Sequence, residues 1–369
     1  MSNLYIGLMS GTSVDNIDAA LVDFSHQQAK LMAHHSLAIP ADITKALREF
    51  NTPGNNEIDT MGQLDIVVGK LFAEAVLALL KQTDIKPSQI IAIGSHGQTI
   101  RHRPNFPTPF TLQIGDPNTI ATLTGITTVA DFRRKDMALG GQGAPLLPAF
   151  HAAFMRSNHI NRIVLNLGGI ANITVLPTDV TQQVTGFDTG PANGLLDLWI
   201  QKNKNLPYDK NGEWAKQGKV IENLLEQFLA DPYFKKLPPK STGKEYFNLA
   251  WLENYLSLNK YDAASIQRTL LELTAQSIFA AIQNYTQLTA GEIVVCGGGA
   301  HNQFLLERLQ TLASHFKVIS SQTLGIDPNW VEAMGFAWFA TQTLERKPSN
   351  LPSVTGAREL AVLGGVYYS

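Results

Sequence analysis

The sequence predicts an α/β protein built from two domains. Three observations carry this reading. Short apolar runs of strand length end in glycine-rich turns, at residues 4–9, 163–167 and 293–296. Between them lie stretches with helical spacing, such as Met61, Leu64, Val68, Leu71, Val76 and Leu79. A chain of 369 residues that is 44% hydrophobic can also bury two cores rather than one.

The elements follow in order. The run at 4–9 reads as a strand, residues 10–16 as a turn, residues 17–24 as a return strand and 30–39 as a third strand. Ile43, Leu47 and Phe50 share a helix face, and the long amphipathic helix follows. Residues 90–93 form a buried strand that runs straight into Ser95-His96-Gly97. A further strand at 110–114, a helix at 118–123 and a strand at 127–130 complete the first domain. A polar, basic stretch containing Asp131, Arg133 and Arg134 then marks a boundary near 130, ahead of an apolar helix near 146–155. The second half opens like the first, with a strand at 163–167, a turn at Gly168-Gly169 and a return strand at 170–176. This self-similarity points to an internal duplication.

Thr185-Gly186-Phe187-Asp188-Thr189-Gly190-Pro191 joins that second half to a helical region. Pro191 suits a first helical position and Thr189 or Gly190 a cap, which puts Asp188 on the turn between a strand end and a helix start. A carboxylate there is rigid and accessible. Val220, Leu224, Leu225 and Phe228 form one helix face, and Ile266, Leu270, Leu273, Ile278 and Ile282 another. A last helix at 330–344 carries Glu332 in its first turn. The expected domains are thus residues 1–130 and 131–344, with the tail 345–369 packing back on the first.

Composition narrows the function. A net charge of −2 implies no broad basic surface for nucleic acid. One cysteine, Cys296, rules out an intramolecular disulfide and a cysteine-rich zinc site, and its position reads as buried strand. The first residues show no basic region followed by an apolar core, and no apolar run reaches membrane-spanning length. A cytoplasmic protein without membrane attachment is expected. The chain does not specify its oligomeric state, and a homodimer stays open.

The chemistry sits in the turns. Glycine lets a backbone approach a ligand, and consecutive N–H groups converge on phosphate oxygens. Taken alone, each turn is an ordinary tight hairpin. None is a P-loop, since no Gly-Lys-Ser/Thr follows the glycines. Three such turns at strand ends, split between two halves, point to a nucleotide held in a cleft. Ser10, Thr12 and Ser13 add hydroxyls to the first turn, and Asp15 and Asp18 bracket its exit, as water-mediated Mg²⁺ ligands or simple Asx turns. His96 reads equally as a structural histidine, Glu332 as a residue favouring the helix dipole. Of the adjacent Arg133 and Arg134, one at most faces a cleft.

Together these motifs resemble the anhydro-N-acetylmuramic acid kinase family. The resemblance lies in Gly7-Leu8-Met9-Ser10-Gly11-Thr12-Ser13-Val14-Asp15, Ser95-His96-Gly97-Gln98-Thr99, Asp131-Phe132-Arg133, Asn166-Leu167-Gly168-Gly169-Ile170-Ala171-Asn172, Gly186-Phe187-Asp188-Thr189-Gly190-Pro191, Thr242-Gly243-Lys244-Glu245-Tyr246-Phe247 and Cys296-Gly297-Gly298-Gly299. It runs in order over nearly the whole chain. Asn16 departs from the family's usual glycine; asparagine tolerates positive φ, so the turn is expected to survive.

The resemblance implies an actin-like, sugar-kinase ATPase fold, two α/β domains around an ATP cleft. It implies a bacterial enzyme of cell-wall recycling that opens 1,6-anhydro-N-acetylmuramic acid with water and phosphorylates O6, using ATP and Mg²⁺. Asp188 is then the general base, with Glu332 orienting water or sugar. His96, Asp131 and Arg133 face the sugar. Gly11, Thr12, Ser13, Val14, Asp15, Asn16, Ile17 and Asp18 hold phosphates, with Gly168 and Gly169 opposite and Gly297, Gly298 and Gly299 near the nucleoside. The competing readings are an ordinary sugar kinase of this fold and an ATP-gated interaction protein like actin or a chaperone ATPase.

Overall fold

The computed structural model describes residues 3–11, 14–26, 28–50, 53–256 and 261–369. In chain order these form β1 (Leu4–Ser10), β2 (Asn16–Asp23), β3 (Lys30–Ala38), α1 (Ala41–Phe50), α2 (Glu57–Leu80), β4 (Ile90–Arg103), β5 (Phe110–Ile114), α3 (Pro117–Thr124), β6 (Thr128–Ala130), α4 (Arg134–Ala138) and α5 (Leu147–Phe154). Then come β7 (Arg162–Leu167), β8 (Ile170–Leu176), β9 (Thr185–Pro191), α6 (Asn193–Lys204), α7 (Glu222–Leu229), α8 (Leu249–Leu256), α9 (Ala263–Tyr285), β10 (Gly291–Cys296), α10 (Gln303–Leu312) and β11 (Phe316–Ser320). The chain ends with α11 (Val331–Leu344), α12 (Pro352–Thr355) and β12 (Gly365–Tyr367). It divides into two units: Met1–Phe154 with Trp330–Ser369, and Met155–Asn329.

The two units repeat one strand plan. In the first, the order is β12-β6-β4-β1-β2-β3, with β5 paired to β4; in the second it is β11-β10-β7-β8-β9. The first three strands of each unit pair antiparallel, β1–β2–β3 and β7–β8–β9. The next strand, β4 or β10, pairs parallel with the first, and β6 or β11 pairs parallel with it in turn. The expected duplication therefore extends to five strands in each half, and the α/β class holds in both.

In the first unit β1 is buried on both faces, so it reads as an unbroken apolar run. Leu4, Ile6 and Leu8 pack with Leu64, Val68, Phe72 and Val76 of α2. On the other face α11 lies directly on the sheet. A Cβ on Gly7 would stand 1.7 Å from the Ala333 carbonyl oxygen, and one on Gly94 1.9 Å from that of Phe336. Only glycine permits a helix backbone to rest on strands this closely. The contact sets the height of the first turn of α11, and with it Glu332. In the second unit, Leu270, Leu273 and Ile278 of α9 share a core with Ile163, Leu165, Ile173 and Val295 of the sheet.

The division differs from the boundary near 130 that composition suggests. Residues 131–154 stay with the first unit, together with the tail. The cause is long-range bonding. Asp136 is fully buried and accepts hydrogen bonds from Asn350 Nδ2 at 3.0 Å and Thr355 Oγ1 at 2.7 Å. On α5, Phe150 packs against Trp338 of α11, and β12 extends the first sheet by pairing with β6.

Two further expectations change. Asp188 sits inside β9 and not on a turn, because the ladder continues to Ile170 opposite Pro191. The helix starts later, at Asn193. His96 lies within β4, not just past it, because β5 pairs with the strand's second half and prolongs it to Arg103.

Candidate active site

The first unit gathers a charged cluster on the sheet face beneath α11. Side chains alternate along a strand, so His96 shares the face of Gly94 and its ring meets Phe336 at 4.7 Å between centroids. Arg133 donates to His96 Nε2 from Nε at 3.0 Å and lies 2.9 Å away through Nη2; its Nη1 donates to the Gly143 carbonyl at 2.7 Å. A guanidinium can only donate, so Nε2 accepts and the imidazole proton belongs on Nδ1. Burial, reinforced by the Arg133 charge, holds the histidine well below its ordinary pKa and keeps it neutral. Nδ1 is itself buried without a hydrogen-bond partner among the described residues, although the Gly97 and Ser10 backbone stands near enough to favour its charged form slightly.

Burial also lowers the Arg133 guanidinium, to about 10, while Glu332 and Asp136 pull it back up. It stays charged at neutral pH. Glu332 is pushed above the ordinary carboxylate range, first by burial; Arg133 opposes the shift and Asp18 adds to it. Asp18 is raised by burial too, against a 2.7 Å bond from the Ser36 hydroxyl and the nearby His34. Glu332 thus interacts with both the Arg133 guanidinium and a second carboxyl of raised pKa, Asp18. Asp131 adopts φ 63° and accepts from Arg134 Nε at 2.7 Å, and Arg134 is the solvent-facing member of the arginine pair.

The first glycine turn joins β1 to β2 beside this cluster. Thr12 and Ser13 lie outside the described residues. Gly11 accepts from Val14 N–H at 3.1 Å, and Thr44 Oγ1 donates to the Val14 carbonyl at 3.1 Å. Among the described residues of the turn, positive φ falls on Val14, at 58°, and not on Asn16. Asn16 and Ile17 begin β2 as extended residues, so the missing glycine at 16 costs the backbone nothing here. Asp15 pairs with Arg48 at 2.9 Å on the exposed surface, a contact of small energetic weight. Ser10 Oγ lies 2.6 Å from Gln98 Oε1, tying the turn to β4.

The second unit holds Asp188 and the two other turns. Thr189 is the extra residue of a bulge: Asn172 faces Asp188 and Ala171 faces Gly190. Bulges bend a strand and re-aim its side chains. The Asp188 carboxylate accepts from Thr242 N–H through Oδ2 at 2.9 Å. Burial pushes its pKa up to about 6; the Thr242 bond opposes this and Glu245 adds to it. At Gly168-Gly169 both carbonyls are taken by the start of α6: Asn193 N–H donates to Gly168 at 3.0 Å, Ala192 and Gly194 N–H to Gly169 at 3.1 Å each. In a trans peptide N–H and C=O point oppositely, so the Gly169 N–H is directed away from α6. Lys244 lies over this turn, its Cε 2.9 Å from where a Gly169 Cβ would be. Nearby Asp197 is raised to about 7 by burial, against the pull of Lys244.

The third turn reaches α10 in two steps. Gly297 donates to the Pro328 carbonyl at 2.8 Å, residues 298–301 form one tight helical turn, and Asn302 then caps α10 through Leu305 N–H at 3.2 Å. Cys296 is buried at the end of β10. Sequence reasoning missed Asp136, Lys244 and the partners of the Asp188 backbone described below. Lys244 lay inside a recognised motif; for Asp136 only its place in the polar run 131–136 offered a signal.

Comparison with known proteins agrees over the full length. The family model described as anhydro-N-acetylmuramic acid kinase matches residues 3–369. A protein of Coxiella burnetii named anhydro-N-acetylmuramic acid kinase is 54% identical over 364 residues, covering 99% of this chain and 97% of its own. Its namesake in Shewanella pealeana is 53% identical over 367 residues, covering 99% of each chain. Among solved structures, a ROK family glucokinase from Streptomyces griseus in complex with glucose and AMPPNP is similar at a TM-score of 0.42 and 13% identity, covering 92% of this chain and 100% of that one. The activator of 2-hydroxyisocaproyl-CoA dehydratase from Clostridium difficile with bound ADPNP has a TM-score of 0.45 at 11% identity, with 94% and 96% covered. By its sequence from end to end, this chain belongs to the anhydro-N-acetylmuramic acid kinase family.

Proposed function

We propose that this enzyme uses ATP to open the 1,6-anhydro bridge of anhydro-N-acetylmuramic acid, with Asp188 as the general base. Water attacks the anomeric carbon C1 and gives its proton to Asp188. The C1–O6 bond breaks, O6 takes the γ-phosphoryl group, and N-acetylmuramic acid 6-phosphate and ADP result. The sugar passes through a partly cationic state that a nearby carboxylate stabilises. The reading rests above all on Asp188: a fixed carboxylate with a pKa of about 6, suited to accept a proton near neutral pH.

The other residues divide the remaining work. Arg133 keeps guanidinium N–H groups beyond those bound to His96 and Gly143, enough to receive the lactyl carboxylate of the sugar. His96 and Asp131 line the sugar side with it. Glu332 orients the attacking water or the sugar. Residues 11–18 hold phosphates, Gly168 and Gly169 add backbone donors beneath Lys244, and Gly297, Gly298 and Gly299 contact the nucleoside. Mg²⁺ accompanying ATP takes most of its ligands from phosphate and water, with one or two carboxylates. The donor chemistry here fits: Asp15 is engaged by Arg48, and Asp18 is the carboxylate that remains at the exit of the turn. The metal would neutralise phosphate charge.

Reaction in ¹⁸O-water tests this reading. Label should enter the C1 hydroxyl and not the phosphate. Unlabelled C1 would instead mean an ordinary kinase acting on a sugar hydroxyl. ADP release at the same rate without the anhydro sugar would point to an ATP-gated interaction protein.

A further inference from the structure

Asp188 lies on β9, the outer strand of its sheet, and the bulge at Thr189 interrupts its ladder with β8. On the outer side, residues 233–242 take the place of a neighbouring strand. Asp188 N–H donates to the Lys240 carbonyl at 3.0 Å. The Tyr233 hydroxyl donates to the Asp188 carbonyl at 2.7 Å. With Thr242 N–H on the carboxylate, one segment holds both the backbone and the side chain of this residue.

The segment is itself anchored. Asp231 is buried and accepts from Tyr233 N–H at 2.8 Å, from the Tyr246 hydroxyl at 2.8 Å and from Trp251 Nε1 at 2.9 Å. The Tyr233 ring is 1% exposed, with the Lys240 ammonium 5.0 Å from its centroid and that of Lys236 at 5.7 Å. Its phenol has little freedom to turn elsewhere.

We propose that Tyr233 is a positioning residue for the catalytic carboxylate, its hydroxyl fixing the peptide between Asp188 and Thr189 and so the direction of the Asp188 side chain. This rests on the reading of Asp188 as the base. A bulged peptide has lost part of the ladder that would otherwise fix its plane, so an outside donor decides its orientation. Reacting groups tolerate little misplacement; an error of about 1 Å can cost about 100-fold in rate. Burial and the Asp188 charge hold the phenol above its ordinary pKa, so it stays a donor throughout the working range.

The test is Tyr233→Phe in the full chain, alone and combined with Asp188→Asn. Phenylalanine keeps the ring, its packing and the lysine contacts, so the fold is retained. Kinetics should show kcat reduced about 10- to 100-fold with KM for ATP and for the sugar within about twofold. In the Asp188→Asn background the same change should cost nothing further, because there is no base left to aim. Wild-type kcat in Tyr233→Phe overturns the proposal. So does an equal proportional loss in both backgrounds, which would mark a merely structural role. Wild-type kcat in Asp188→Asn alone would instead remove the base assignment.

Discussion

Arg133 meets His96 through one imidazole nitrogen, with two guanidinium nitrogens within 3.0 Å of Nε2. The pair couples a residue of β4 to one that lies just beyond β6, and it dictates a neutral histidine. Lysine cannot reproduce this fork together with the bond to Gly143. Arg133→Lys should therefore raise KM for the sugar about 10-fold or more, the cost of about one lost hydrogen bond to a charged group, with KM for ATP unchanged. Steady-state kinetics with each substrate varied in turn decides it.

Asp188→Asn should lower kcat about 10²- to 10⁴-fold, the usual share of a general base. In the wild-type enzyme kcat/KM for the sugar should fall as pH drops through about 6, where this carboxyl takes up a proton.

The same group predicts a stability effect. Its folded pKa of about 6 lies above the model value of 3.8, so the native state holds the proton more tightly than the unfolded chain. Stability must then decrease as pH rises between about 4 and 6, and stay level above that window. The shift corresponds to about 3 kcal/mol. Asp188→Asn keeps an oxygen for Thr242 N–H but no charge. Thermal unfolding should find it more stable than wild type at pH 8, with the difference gone at pH 4.

Asp18 and Glu332 test each other. Asp18 raises Glu332, so Asp18→Asn should bring the Glu332 pKa down, while Arg133→Lys, which keeps a positive charge, should move it less. NMR titration of a carboxyl-labelled Glu332 reads this directly; an upward shift in Asp18→Asn would contradict the arrangement.

Gly94→Ala probes the seat of α11. The added methyl collides with the Phe336 carbonyl, which belongs to a helix backbone and cannot swing aside as a side chain would. We expect a loss of at least about 1–3 kcal/mol, the ordinary cost of overpacking, measured by denaturant unfolding. Because the displaced helix carries Glu332, kcat should fall as well.

Much of this was legible in the sequence wherever the information is local. Alternation and helical spacing located the strands around the glycine turns, the long α2 and the first turn of α11 with Glu332. The separation of Arg133 from Arg134 followed from adjacency alone. The sequence singles out Asp188 but does not show its setting. Pro191 reads locally as a helix start, whereas pairing with Ile170 keeps it in β9, and a bulge is a relation between two strands that one strand's residues do not announce. The same holds for His96, whose strand is prolonged by β5. Asp136 and its partners Asn350 and Thr355 are more than 200 residues apart, and Tyr233 reaches Asp188 across 45. No periodicity carries such contacts.

The unit formed by residues 1–154 and 330–369 is interrupted by the one formed by residues 155–329. During synthesis, residues 155–329 leave the ribosome as an unbroken stretch and can collapse while translation continues. The first unit, by contrast, must wait for α11 to settle on Gly7 and Gly94 and for the tail to reach Asp136. Strands made first are thus finished last. A nascent chain stalled before residue 330 would hold β9 with Asp188 but lack α11 altogether.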